Sequence, residues 1–187
     1  MSSLTQSLIE LTQLFDRMGF PYAVMGGLAV RAYGIPRATY DIDFTLAIER
    51  ERLPELYLAV EELGYTVPQP FETGWVDAVG GMPLVKFRLF VDENGIDIDV
   101  FLAETEFQKS IISRRRREEL DGAVLYLVSP EDLVLLKLIA SRPRDVADVH
   151  DVLFIQGELD GGYLHEWATR LDITDRLAKI LKGPPPV

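Results

Sequence analysis

The sequence contains no cysteine among its 187 residues, and this absence excludes a disulfide framework and any thiolate metal site. Basic residues are also few relative to acidic ones. The 19 lysines and arginines are outnumbered by 30 aspartates and glutamates, which gives a net charge of −11 at pH 7. A surface of that sign argues against broad, nonspecific binding to nucleic acids or anionic membranes, although it allows a local basic site.

Long apolar segments are missing as well. No uninterrupted apolar run approaches the roughly 20 residues that a membrane-spanning helix requires. The first residues carry no basic cluster, and Glu10 interrupts the apolar positions, so this segment is not typical of a signal peptide. Hydrophobic residues make up 48% of the sequence, which is enough for a substantial core. We therefore expect a cytoplasmic protein with no membrane partner.

Hydrophobic periodicity predicts a chain of mixed helices and strands. The predicted helices cover residues 4–18, 28–33, 49–63, 104–120, 133–140, 144–155 and 164–181. The predicted strands cover residues 20–25, 40–46, 84–91, 96–102 and 123–128. We expect an α/β (α+β) core over residues 1–128 and a helical C-terminal part over residues 129–187, packed on that core as one compact domain. A Ser-Pro-Glu-Asp sequence at 129–132 is typical of a helix start.

Two of the predicted strands are joined by Asp92-Glu93-Asn94-Gly95, which is typical of a hairpin turn. If this four-residue loop closes symmetrically, Arg88 lies opposite Asp99 and Phe90 lies opposite Asp97.

Two predicted strands each carry a pair of aspartates on one face. Alternation places Asp41 beside Asp43, and it places Asp97 beside Asp99 on the second strand. Neighbouring carboxylates repel one another unless a cation or a basic side chain lies between them. Mg²⁺ prefers oxygen ligands, and paired metal ions clamp both reacting oxygens in phosphoryl transfer. The pattern predicts a site for Mg²⁺ or Mn²⁺; an ordinary half-exposed strand is the alternative.

A glycine pair precedes the first acidic strand, with 41 − 27 = 14 positions between Gly27 and Asp41. Glycines allow close approach of a ligand to the backbone, and the free amide groups of a following helix start suit a phosphate.

Gly26-Gly27, Arg37-Ala38-Thr39 and Asp41-Ile42-Asp43 together resemble the signature of the nucleotidyltransferase-fold (DNA polymerase beta-like) superfamily. Ser-Pro-Glu-Asp-Leu-x-x-x-Lys at 129–137 and Arg-Asp-x-x-Asp at 144–148 resemble its AbiEii/AbiGii branch, whose members include toxins of toxin–antitoxin pairs. The resemblance covers roughly residues 20–155 and implies a mixed sheet flanked by helices. Many members have Ser in place of Gly27; a Gly-Gly version is also found among antibiotic nucleotidyltransferases.

The resemblance also implies roles for individual residues. Asp41, Asp43 and Asp99 would bind the metal, with Asp99 as base or base-orienting ligand and Asp97 as its competitor. Lys137 would contact the triphosphate or a catalytic acid. The implied substrate-binding residues are Gly26, Gly27, Arg37, Thr39, Arg88 and Asp148.

Lys137 lies in a helical segment that is apolar nearly all round. Burial of an unpaired ammonium group is costly, so Lys137 should meet a carboxylate or a phosphate, unless it extends to solvent. Asp145 and Asp148 share one helix face and are candidate partners of Lys137 or Arg144. Such contacts would belong either to a purely structural ion-pair network or to the active site.

The expected function is metal-dependent transfer of a nucleoside monophosphate from a triphosphate such as ATP to a hydroxyl group. The acceptor would belong to RNA (a tRNA end, for example), a protein or a small molecule, and the protein would act as a toxin with an antitoxin partner. One alternative is an antibiotic nucleotidyltransferase of the aminoglycoside or lincosamide type. Another is a non-catalytic protein of the same fold that binds a nucleotide or a partner.

The arginine run at 114–117 is interpreted as a solvated helix end, with local RNA contact as its alternative.

Overall fold

The computed structural model describes residues 3–91, 94–120 and 122–182. The helices are α1 (Ser3–Met18), α2 (Gly26–Tyr33), α3 (Leu53–Glu62), α4 (Gln69–Glu72), α5 (Glu106–Arg114), α6 (Pro130–Ala140), α7 (Pro143–Gln156), α8 (Gly161–Arg170) and α9 (Thr174–Leu181). The strands are β1 (Tyr22–Met25), β2 (Asp41–Leu46), β3 (Asp77–Val79), β4 (Met82–Val91), β5 (Asn94–Leu102), β6 (Arg116–Leu120) and β7 (Ala123–Leu127). None of the helices in these ranges has the length and apolar character needed to cross a membrane.

The strands form one mixed sheet in the order β3-β4-β5-β2-β1-β7-β6. Strand β2 runs antiparallel to β1 and parallel to β5, and β1 runs parallel to β7. The two strands that carry the acidic pairs are therefore hydrogen-bonded neighbours in the middle of the sheet. This arrangement confirms the predicted mixed α/β fold.

Helix α1 covers one face of β2 through an apolar stripe. Its residues Leu8, Leu11 and Phe15 recur at helical spacing and are fully buried. The ring of Phe15 meets that of Phe44 edge-on, with 5.1 Å between the centroids. Burial of a side chain of this size contributes about 1.5–3 kcal/mol. Because side chains alternate along a strand, packing of Phe44 against α1 directs Asp43 to the opposite face.

The helix predicted over residues 104–120 is only partly correct. Helix α5 ends at Arg114, and Arg116–Leu120 forms β6, an edge strand that pairs antiparallel with β7. Arg115 has an extended backbone, with φ −53° and ψ 143°. The Arg- and Glu-rich sequence favours a helix locally, but pairing with the apolar β7 supplies a ladder of backbone hydrogen bonds that outweighs this preference.

The predicted register of the central hairpin is wrong by two residues. Val91 pairs with Asn94, so strand β5 begins at Asn94; the rest of the predicted turn, residues 92–93, lies outside the described residues. Lys86 therefore lies opposite Asp99, and Arg88 lies opposite Asp97. A shift of two residues leaves every side chain on its original face, so the alternation of the sequence cannot distinguish these registers.

Other helix boundaries also differ from those predicted. Helix α2 includes Gly26 and Gly27 as its first residues, rather than starting after a glycine turn. The single helix predicted over 164–181 is divided into α8 and α9, and Asp172 between them has a φ of +57°.

Candidate active site

A cavity of about 700 Å³ opens beside the acidic strands. It lies between β2, β5, the start of α2, the end of α6 and the start of α7. The polar residues that line it are Arg37, Thr39, Tyr40, Asp41, Asp43, Asp97, Asp99, Lys137, Arg142, Arg144 and Asp145. Both glycines of the predicted pair, Gly26 and Gly27, also line it.

Four aspartates form one wall of this cavity. The parallel register of β2 and β5 places Asp43 directly across from Asp99 and Asp41 across from Asp97. Burial, followed by the negative charges of Asp41 and Asp99, raises the pKa of Asp43 to about 7. Two acidic strands whose paired aspartates are 97 − 41 = 56 positions apart in sequence thus converge on one site, as the sequence predicted.

The two acids of β5 have basic partners on β4. The Lys86 ammonium Nζ lies 2.9 Å from Asp99 Oδ1 and 3.1 Å from Asp99 Oδ2. Arg88 Nε lies 3.5 Å from Asp97 Oδ1, and both side chains of that pair are exposed. The sequence assigned Arg88 to Asp99, and the two-residue register shift replaces that partner by Lys86. Arg88 does not line the cavity.

The first glycine of the pair is required by both its backbone and its neighbour. Gly26 has a φ of +65°, which side chains disfavour, and a β carbon there would overlap the Asp43 carboxylate. This glycine therefore allows Asp43 to approach the start of α2.

Lys137 is buried, with 6% of its surface exposed, at the rear of the cavity. Its Nζ lies 2.7 Å from Asp148 Oδ2 and 3.0 Å from Asp145 Oδ1. Of the alternatives considered from the sequence, the carboxylate contact is the one observed, and extension to solvent is excluded. Asp148 lies behind the cavity wall rather than in it, because it is not among the lining residues.

Two arginines extend this charged group toward the cavity. Arg37 donates two hydrogen bonds to Asp148, from Nε at 2.7 Å and from Nη2 at 2.8 Å. Arg142 donates from Nε to Asp145 at 2.6 Å. Burial acts to raise the pKa values of Asp145 and Asp148, but the hydrogen bonds from these arginines and from Lys137 outweigh it, so both pKa values lie below the ordinary value.

Arg142 was not predicted from the sequence, and Arg144 was predicted only as an ion-pair partner. Arg144 Nη2 donates to the backbone oxygen of Ala38 at 2.8 Å, and Arg144 lines the cavity. The available signal was the Arg-Pro-Arg-Asp sequence at 142–145, because proline begins helices and places the preceding residue just outside the first turn.

The donor set fits an open divalent-metal site. Within residues 3–91, 94–120 and 122–182, no group of three or more acidic or histidine side chains is arranged to enclose a metal ion. Mg²⁺ is usually held by only one or two carboxylates, with water and substrate phosphates as its other ligands. The raised pKa of Asp43 between two like charges is the electrostatic condition that a bound cation would relieve.

The arginine run does not form a continuous basic surface. Arg114 Nη2 lies 3.3 Å from Glu131 Oε2, and the Arg116 guanidinium lies 3.6 Å from the same oxygen. The Arg115 guanidinium lies over the ring of Tyr126, 4.7 Å from its centroid. Three of the four side chains are therefore engaged within the fold.

Comparison with known proteins identifies related sequences and folds. The family described as "Nucleotidyltransferase of unknown function (DUF6036)" matches residues 1–180. No curated protein sequence matches the chain. An antigenic nucleotidyltransferase-like protein from Paracoccidioides brasiliensis is 17% identical, with a TM-score of 0.50 and coverage of 95% of this chain and 91% of that chain.

Two structures of the antibiotic-resistance factor ANT(2″)-Ia have similar folds. Its solution structure is 16% identical, with a TM-score of 0.54 and coverage of 98% of this chain and 96% of that chain. Its crystal structure in complex with adenylyl-2″-tobramycin is 16% identical, with a TM-score of 0.52 and coverage of 96% and 99%. At these identities the similarity concerns the fold.

Proposed function

The chain belongs to the family described as Nucleotidyltransferase of unknown function (DUF6036), and we propose that it transfers a nucleoside monophosphate from a nucleoside triphosphate to an acceptor hydroxyl. The observation that supports this proposal is a single cavity with aspartates on one wall and a lysine and arginines on the other. The metal ion and the acceptor hydroxyl would bind at the acidic wall, and the phosphate oxygens would contact the basic wall.

Asp41 and Asp43 would hold Mg²⁺ or Mn²⁺, and Asp99 would be the third acid, with Asp97 as its competitor. When bound, the ion would supply positive charge that offsets the negative charge of these carboxylates and of the triphosphate. The acceptor oxygen forms a bond to the α-phosphorus, the bond from that phosphorus to the bridging oxygen breaks, and pyrophosphate leaves. Asp99 accepts the proton of the acceptor hydroxyl, while Lys86 holds its carboxylate in place.

The basic wall suits the leaving pyrophosphate. Arg37, Lys137 and Arg142 supply three positive charges against the two negative charges of Asp145 and Asp148. This excess of positive charge faces the cavity, where guanidinium groups can donate paired hydrogen bonds to phosphate oxygens. The amide groups at the start of α2, at Gly26 and Gly27, would meet the triphosphate from the other side.

The identity of the acceptor distinguishes two versions of this function. In the first, the AbiEii-like version, the protein is a toxin that modifies RNA or protein and is neutralised by an antitoxin. In the second it modifies a small molecule, as an antibiotic nucleotidyltransferase does. The small-molecule version is favoured because the side chains of Arg114, Arg115 and Arg116 contact other residues of the fold. These contacts leave little positive surface for RNA.

The activity can be tested with labelled nucleoside triphosphates and Mg²⁺ or Mn²⁺, offered with total RNA, cell protein and a panel of aminoglycosides and lincosamides. Asp41→Asn and Asp43→Asn should each reduce transfer by about 10³-fold, because charge stabilisation of several kcal/mol is lost. Asp151→Asn, on α7 outside the cavity-lining residues, is the matched control and should act as wild type.

Unchanged transfer in both Asp41→Asn and Asp43→Asn would show that the site is wrong. Metal-dependent ATP binding in calorimetry, lost in Asp43→Asn but without transfer to any acceptor, would indicate the non-catalytic alternative. Growth arrest on induction would support the toxin version, and drug resistance would support the antibiotic version.

A further inference from the structure

The second glycine of the pair, unlike the first, is not required by its backbone conformation. Gly27 lies in the first turn of α2 and has no positive φ, so its backbone conformation does not require glycine. A β carbon at this position would lie 2.5 Å from Thr39 Oγ1 and 2.8 Å from Thr39 Cβ. Threonine is branched at its β carbon and has few alternative rotamers. The space that a side chain of residue 27 would take is therefore filled by Thr39.

The Thr39 side chain has a specific contact in that position. Its hydroxyl donates a hydrogen bond of 2.6 Å to Asp41 Oδ1. Asp41 is exposed at the first residue of β2, and no lysine or arginine within the described part of the chain lies at ion-pair distance from it. A hydroxyl-to-carboxylate bond of this length is a strong, charge-assisted one. Thr39 is thus the side chain that fixes the orientation of the Asp41 carboxylate.

We propose that Thr39 is a positioning residue of the metal-binding centre, and that Gly27 lacks a side chain so that Thr39 can hold Asp41. The consequence for turnover rests on the proposed function, whereas the packing of Thr39 against Gly27 does not. Thr39 acts through Asp41: its hydrogen bond holds one carboxylate oxygen of this exposed side chain in a constant direction. Groups that orient metal-binding carboxylates typically change metal affinity or activity by about 10- to 100-fold.

Metal affinity tests the hydrogen bond directly. Thr39→Val keeps the shape of the side chain but removes its hydroxyl, and Thr39→Ser keeps the hydroxyl. With Mn²⁺ titrated by electron paramagnetic resonance in the presence of a non-hydrolysable triphosphate, Thr39→Val should bind Mn²⁺ about 10-fold more weakly. Thr39→Ser should restore most of the affinity. Thr73→Val, which removes a hydroxyl bonded to the Pro70 carbonyl outside the cavity, is the control and should not change it.

Thermal unfolding without metal tests the packing. Gly27→Ala should lower the unfolding midpoint by roughly 5 °C, because the new methyl group overlaps Thr39. In a Thr39→Gly background the same substitution should raise the midpoint, because alanine is the better helix former. This reversal of sign is specific to a steric conflict between the two positions.

Wild-type Mn²⁺ affinity in Thr39→Val would overturn the role of Thr39, and an equal cost of Gly27→Ala in both backgrounds would overturn the packing explanation. Wild-type protein that binds no Mn²⁺ would overturn both this proposal and the proposed function. If the Mn²⁺ affinities follow the expected order but no acceptor is modified, the proposed function fails and the role of Thr39 stands.

Discussion

Helix α6 has a cluster of buried polar side chains at each end, and the two clusters differ in how their charges are neutralised. At the N-terminal end, Asp132 is fully buried. It accepts hydrogen bonds from Tyr163 OH at 2.6 Å and from Ser129 Oγ at 2.7 Å. The Arg114 guanidinium lies 3.8 Å from the centroid of the Tyr163 ring and completes the enclosure.

The C-terminal cluster is built around Lys137 and opens into the cavity. Its carboxylates, Asp145 and Asp148, are each shared between Lys137 and an arginine. Across the cavity, burial and then its acidic neighbours raise the pKa of Asp43. Burial of charge is common to both ends of α6 and therefore does not identify a functional site. Unbalanced charge that faces an open cavity is found only at the second of these two clusters.

The largest expected effect on stability is that of removing the Lys137 ammonium group. Lys137→Met would leave two carboxylates with one buried partner fewer, and we expect the free energy of unfolding at pH 7 to fall by about 3–5 kcal/mol. Chemical denaturation measures this change. Tyr163→Phe, at the other end of α6, removes one hydrogen bond to a buried carboxylate and should cost about 1.5–3 kcal/mol.

The two variants should also separate in nucleotide binding. Tyr163 does not line the cavity, so the folded Tyr163→Phe protein should bind a metal–triphosphate complex as wild type does.

If the free energy of unfolding falls by less than about 1 kcal/mol in Lys137→Met, the ion pairs of Lys137 contribute no more to stability than a surface ion pair does.

Asp148 and Asp132, one buried carboxylate from each cluster, should respond to acid in opposite directions. The pKa of Asp148 is lowered, so its contribution to stability is fully present above the unfolded-state pKa of about 3.9 and is lost as the pH falls through its folded-state pKa. Burial raises the pKa of Asp132, so its ionisation costs stability as the pH rises from about 3.9 through the folded-state pKa.

Urea unfolding between about pH 2 and 7 measures this difference. Asp148→Asn should make stability rise less steeply with pH than in wild type. Asp132→Asn should make the rise steeper. Slopes that change in the same direction for both variants would contradict the distinction between Asp148 and Asp132.

The sequence predicted most of the acidic wall, because the evidence for it is local. Alternation along one strand is enough to place Asp41 and Asp43 on one face, and the same holds for Asp97 and Asp99. The apolar surroundings of Lys137 were enough to predict a buried partner. Each of these predictions depends on residues that are close together in the chain.

The parts that were missed depend on contacts between distant residues. The register that pairs Lys86 with Asp99 is set by where the hairpin turns, and the strand at 116–120 forms only because β7 is beside it. The contact between Gly27 and Thr39 crosses a loop, and no pattern in the sequence indicates it.

The smallest expected change in stability, and the most specific test of the acidic wall, concerns the basic partners on β4. Lys86→Met and Arg88→Met each remove an exposed or partly exposed ion pair and should cost less than about 1 kcal/mol of unfolding free energy. If Asp99 is the third acid, Lys86→Met should tighten Mn²⁺ binding by roughly 3- to 10-fold, because a competing cation is removed. Arg88→Met should then have no such effect. Tighter Mn²⁺ binding in Arg88→Met, with no change in Lys86→Met, would assign the third acid to Asp97. Lys109→Met removes the exposed ion pair with Glu106 and controls for the loss of surface charge.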